Sequence, residues 1–128
     1  MAATVDLAEL DGFIGTERWF RHWTGAVHYT EGMHYLERNG AAWLIDAIAS
    51  YQHGELLEGD LHYFQLWRLE AKNGKAVLTC RSDSDQEPVV TQQIEYTDFP
   101  DGGVDFYVEL GSADGVNEHR VLMLCGER

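Results

Sequence analysis

The most regular pattern of apolar positions lies in AAWLIDAIASYQ, where Ala41, Leu44, Ile45, Ile48, Tyr51 and Gln52 fall on one face at about 100° per residue. That spacing predicts a main helix over about 41–52 whose stripe packs on a sheet. Trp43, flanked by Ala47 and Ser50, lies outside the stripe, at the rim of the core or as an aromatic anchor for a partner. A shorter helix is expected around 5–11, capped by Thr4 or Asp6 and stopped by Gly12. The rest of the chain alternates with period two. Trp19, Arg21 and Trp23 alternate with Phe20 and His22 over 17–23, and 26–30 with 33–38 read as a hairpin around Glu31-Gly32. Further strands are expected over 59–70, 75–82, 88–97, 103–110 and 115–124.

Two of these strands carry positional information. In 59–70 both faces are apolar, Leu61, Tyr63, Trp67 and Leu69 on one and Phe64 with Leu66 on the other, which places the strand centrally. In 103–110, Val104, Phe106, Val108 and Leu110 alternate with Asp105, Tyr107 and Glu109, the pattern of a sheet with one wet face. The short turns KNGK and SADG favour antiparallel neighbours. The expected class is α+β: an antiparallel sheet of five to seven strands, the 41–52 helix on one face, and a short N-terminal helix. At 128 residues, without internal repeats or a linker, 1–128 reads as a single domain.

Charge narrows the range of partners. Acidic residues number 22 against 9 basic ones, a formal charge of −13. The halves carry −7 (3 basic, 10 acidic) and −6 (6 basic, 12 acidic), so the acidity is not a tail. Such a field repels nucleic-acid phosphates and anionic lipid and speeds encounter with basic proteins. No apolar run approaches a membrane span and the N-terminus has no signal-peptide pattern, so a cytoplasmic location is expected.

The stretch HWTGAVHYTEGMHY raises the question of a metal, since it holds three of the six histidines. A three-residue loop, Thr30 to Gly32, would set Tyr29 against Met33 and His28 against His34. Val27, Tyr29, Met33 and Tyr35 would then form an apolar face, with the two imidazoles together on the wetter one. A zinc site wants three or four ligands. His22, His53, His62 and Asp60 are the recruits, and their spacing matches no compact ligand motif. The expectation is therefore no metal and no cofactor, with a metal-binding domain or metal-dependent enzyme centred on His28 and His34 as the alternative. Cys80 alternates with Ala76 and Leu78 and reads as buried; Cys125 is remote from it, and neither is assigned as a nucleophile. No GxSxG, P-loop or dinucleotide fingerprint occurs, which leaves an enzymatic reading without support.

The motifs LDGFIGTE at 10–17, YTEGMHYL at 29–36, WLIDAIASYQ at 43–52, FQLW at 64–67 and IEYTDFP at 94–100 together resemble an uncharacterised domain family carried on bacterial plasmids, prophages and integrative elements. The chain departs from that pattern at Glu31, commonly Asp, and in its ending, LCGER. The resemblance implies a setting in a mobile element and no activity. Gly15-Thr16 reads as a turn, Asp46 as an outward helix residue, and Asp98-Phe99-Pro100 as a strand exit. The leading expectation is a non-enzymatic interaction protein, an acidic inhibitor or decoy for a nucleic-acid-binding host protein. Its contacts would come from Trp43 and the loop carboxylates Glu55, Glu58, Asp60, Asp83, Asp85, Glu87, Asp98 and Asp101. A homo-oligomeric accessory domain is the remaining alternative.

Overall fold

The computed structural model describes residues 5–14, 18–112 and 118–128. Gly15-Thr16 and the start of the 115–124 strand lie outside them. The elements are α1 (Leu7–Leu10), β1 (Phe20–Arg21), β2 (His28–Tyr29), α2 (Glu31–Leu36), α3 (Ala42–Ser50), β3 (Phe64–Lys72), β4 (Lys75–Arg81), β5 (Val90–Ile94), β6 (Gly102–Gly111) and β7 (His119–Leu124). The seven strands form one sheet in the order β1-β2-β7-β6-β3-β4-β5. β3 sits between β6 and β4, inside the sheet as its two apolar faces require. All pairings are antiparallel except β2 with β7, which is parallel, so the sheet is mixed. The class is α+β. Among the described residues no helix is long and apolar enough to cross a membrane.

The core lies between the inner sheet face and the helices. Leu44, Ile45 and Ile48 of α3 are fully buried with Trp67, Leu69, Leu78, Cys80 and Phe106, as the helical stripe and the strand alternation dictate. Trp43 is half-buried against this cluster. The N-terminal helix is capped by Asp6, whose carboxylate accepts the Ala8 N–H at 3.0 Å.

The expected 26–30/33–38 hairpin does not form. Residues 31–36 are helical, because Met33 and Leu36, three apart, both go fully into the core, which a strand register cannot achieve. The N-terminus of α2 is held from the far end of the chain. Glu127, 7% exposed on the turn Cys125–Glu127, accepts the Thr30 hydroxyl at 2.6 Å and the N–H groups of Gly32 (3.0 Å) and Leu124 (3.1 Å). A Cβ on Gly32 would collide with that carboxylate. The helix breaks at Asn39-Gly40, where Gly40 takes φ +96 and Asn39 Nδ2 donates to the Tyr35 carbonyl at 2.7 Å.

A polar pair inside the core sets α3 against β3. Gln52 and Gln65 exchange amide hydrogen bonds at 2.8 Å each way. Gln65 Nε2 also donates to the Leu61 carbonyl at 3.0 Å, and its Oε1 accepts Trp67 Nε1 at 2.8 Å. All four hydrogen-bonding positions of a residue 1% exposed are thereby used. The first turn of the expected 59–70 strand is instead the 3₁₀ segment Gly59–His62, which presents that Leu61 carbonyl.

Gln65→Leu strands the Gln52 amide, the Leu61 carbonyl and the Trp67 N–H, and is expected to cost about 2–4 kcal/mol in urea unfolding. Adding Gln52→Leu should cost much less than Gln52→Leu alone, because the two residues share one network. Additive losses would show that the amides act independently. Ile48→Asp places an unpaired carboxylate in the core and should abolish the cooperative transition seen by circular dichroism.

Candidate functional site

The histidines disperse. With 31–36 helical, His34 rides on α2 and its ring stacks on Phe20 at 4.1 Å, whereas His28 lies on β2 against His119 at 4.2 Å. The expected His28/His34 pair is therefore not formed, since one partner left the sheet. His28 is held below the ordinary imidazole value by burial first, then by the charges of His119 and Arg21. Among the described residues no three or more His, Cys, Asp or Glu gather as metal ligands. His62 meets Arg120, and His53 is exposed at the end of α3.

His22 does structural service. Its Nε2 lies 2.6 Å from Asp46 Oδ1 and its Nδ1 2.7 Å from Thr24 Oγ1. Asp46, outward on α3 as expected, also accepts Trp23 Nε1 at 3.1 Å. Hydroxyl, imidazole and carboxylate stand in the order of a nucleophile triad. Thr24 Oγ1, however, is occupied inside its own turn by the Ala26 N–H, and the imidazole is 2% exposed. The group ties the β1–β2 turn to α3.

The sequence-nominated carboxylates show a different order. Asp83, Asp85 and Glu87 are exposed on the loop entering β5; Asp98 and Asp101 are exposed on the segment leaving it, next to Glu95. Asp60, also exposed, lies on the 3₁₀ segment Gly59–His62 and exposed Glu58 just before it, and Glu58 reaches the same end of β5 as Val89 and Val90. The Glu55 side chain lies outside the described residues. Trp43 lies on the flank of α3 with Ala47, half-buried against the core. Among the described residues none of these acids is in an ion pair. They bracket one strand instead of forming one acidic face.

That strand is the outer edge of the sheet. β5 reads VTQQI, without charge or proline, and its inward residues Val90, Gln92 and Ile94 are only half-buried. Edge strands expose unpaired backbone N–H and C=O groups and are usually guarded by charge, proline or brevity. The opposite edge follows the rule: β1 has two residues, one of them Arg21. β5 itself does not, and its guards stand only beyond it, at Glu87-Pro88 and at Glu95.

Two recesses adjoin β5. On the helix side a groove of about 620 Å³ lies between Val89, Val90, Tyr51, Leu56 and Leu61. Tyr51 is fixed there by its hydroxyl, which donates to Gln92 Oε1 at 2.7 Å, and by its ring against Trp67 at 5.5 Å. On the other face a recess of about 660 Å³ runs past Gln93 and Glu95 to Lys72, Lys75 and Arg68. The sequence offered one signal for this site, the uncharged VTQQI between acidic flanks; which strand is an edge depends on sheet order.

The cysteines are set apart by burial. Burial pushes the Cys80 thiol up to about 12, opposed only by the Arg81 charge. Cys125 is exposed on the far side of the sheet, its thiol 3.4 Å from the Asp105 carbonyl. At pH 8 iodoacetamide should label Cys125 and spare Cys80 until the chain unfolds. The folded state keeps Cys80 neutral while the unfolded chain ionises it near the ordinary 9.0, so its contribution to stability is complete below pH 9 and lost between pH 9 and about 12. Burial raises the exposed Cys125 thiol as well, so Cys80→Ala should flatten the alkaline fall in urea midpoint more than Cys125→Ala does; equal slopes would contradict the burial argument.

Neither a curated protein nor a solved structure matches the chain. A family model described as a family of unknown function, DUF6876, matches residues 5–128. With all but the first four residues covered, the chain belongs to the DUF6876 family.

Proposed function

We propose that this protein is a non-enzymatic interaction module that engages a basic protein partner at the β5 end of its sheet. The observation that supports it is the placement of exposed carboxylates, in no ion pair among the described residues, on both sides of one uncharged edge strand, on a chain of net charge −13. At about 3.3 Å per residue the eight extended steps from Glu87 to Glu95 separate the two acidic groups by about 26 Å. That spacing suits a partner with two cationic clusters and an uncharged stretch between them. In the mobile-element setting that the sequence resemblance implies, such a partner is a nucleic-acid-binding host protein, whose cationic surface the module would occupy as an inhibitor or decoy. The long-range field favours encounter with that surface and disfavours duplex DNA itself.

Association through these carboxylates should weaken sharply at about half-molar salt, because charge is screened over about 8 Å already at physiological ionic strength. Resin carrying the unaltered protein should retain basic proteins from a bacterial lysate and release them in high salt. Resin carrying Asp83→Lys, Asp85→Lys and Glu87→Lys together should not retain them, chiefly through slower association. Tight binding of duplex DNA that ignores salt, or identical retention by the two resins, would overturn this reading.

A further inference from the structure

We infer that β5 is a strand-addition site: it accepts an extended segment of the partner that is basic at both ends and carries an apolar side chain in the groove beside Tyr51. The inference rests on the interaction-module reading and specifies how that module holds its partner. The backbone supplies the affinity, because the outer N–H and C=O groups of Val90–Ile94 have no strand to pair with among the described residues. Side chains supply the selection. In an added strand successive residues point to opposite sheet faces. One set faces the largely apolar groove of Tyr51, Leu56, Leu61 and Val89, which His53 and Glu58 also line, and the other faces the recess where Gln93 and Glu95 share the lining with Arg68, Lys72 and Lys75.

Charge decides the occupant. A second copy pairing β5 to β5 about a twofold axis at Gln92 would bring the Asp85 and Glu87 end of one chain beside the Glu95 and Asp98 end of the other, at both ends of the ladder. Like charges so placed oppose pairing, and each chain adds −13. A segment with Lys or Arg at each end meets the opposite situation: the same carboxylates, in no ion pair among the described residues, fix its register and draw it in. Self-association is thus disfavoured at this edge by the feature that favours a basic strand.

The test is selection of random twelve-residue peptides displayed on phage against the intact protein at low salt. Enriched peptides should alternate apolar or β-branched residues with polar ones and carry Lys or Arg toward both ends. Each is then resynthesised with backbone N-methyl groups on odd or on even residues. One set should lose affinity by about tenfold or more and the other by less than about twofold, since only alternate N–H groups of an added strand face β5. Amide exchange at Val90–Ile94 should slow on binding. A proline scan of Thr91, Gln92 and Gln93, keeping the variant with unaltered circular dichroism and thermal midpoint, should yield a folded protein that no longer binds. Peptides that bind with salt dependence and fail on the charge-reversed variant, yet tolerate both N-methyl sets, would overturn strand addition while leaving the acidic module standing. Failure to enrich any peptide, or sedimentation showing a dimer that the edge proline dissolves, would overturn the inference as well, and lysate capture would still judge the module.

Discussion

The reciprocal amide pair of Gln52 and Gln65 is the contact on which the geometry of this molecule turns. An amide buried without partners costs about as much as a quarter of a small domain's stability. The two glutamines can escape that cost only in the one relative position of helix and strand where both amides, the Leu61 carbonyl and the Trp67 indole meet. Apolar packing alone would tolerate a slide of α3 along the sheet. The amide pair does not, so it fixes Tyr51, one residue before Gln52, at a set height above β5. The groove beside the edge strand exists because of that height.

A second constraint joins the ends of the chain. Glu127 acts for α2 as a capping residue would, but from 95 residues beyond Gly32. Its carboxylate needs the helix N–H groups as much as they need it, since a buried charge without hydrogen bonds is expensive. β7 leads into the turn that carries Glu127 and also takes β2 as its parallel neighbour, so the N-terminal hairpin and α2 are docked by one strand. The histidines follow from this arrangement. Once α2 is helical, His34 is carried off the sheet, His22, His28 and His62 each meet a different partner, and His53 stays exposed.

Surface chemistry is organised by what the edges allow. β1 is short and charged; β5 is longer, neutral and bracketed by acids. A neutral edge is an aggregation hazard in most proteins. In the proposed strand addition the carboxylates at its ends repel an identical copy and attract a cationic segment, so one electrostatic feature would provide both protection and specificity.

Periodicity in the sequence was sufficient for the elements whose partners are local or whose faces are uniformly apolar. The stripe of Leu44, Ile45 and Ile48, the alternation of Val104 to Leu110, the central position of the strand expected over 59–70 and the burial of Cys80 were all legible, because a helix or strand must bury its apolar side whatever it packs against. The 26–38 stretch reads as a hairpin in the sequence, whereas its second arm is a helix. Tyr29 and Met33 fit a strand face as readily as Met33 and Leu36 fit a helix face, and the deciding cap, Glu127, is supplied by the opposite terminus. The signal for the helix was its stop, Glu37-Arg38-Asn39-Gly40. Gln65 could not be recognised as core, since an amide enters the interior only where a second one meets it. The acidic residues could be nominated one by one, but their grouping around β5 required the sheet order, which is set by long-range pairing. Sequence determined which residues must be buried and the sign of the surface; tertiary structure decided which backbone was left unpaired and which charges stand beside it, because those depend on contacts between residues far apart in the chain.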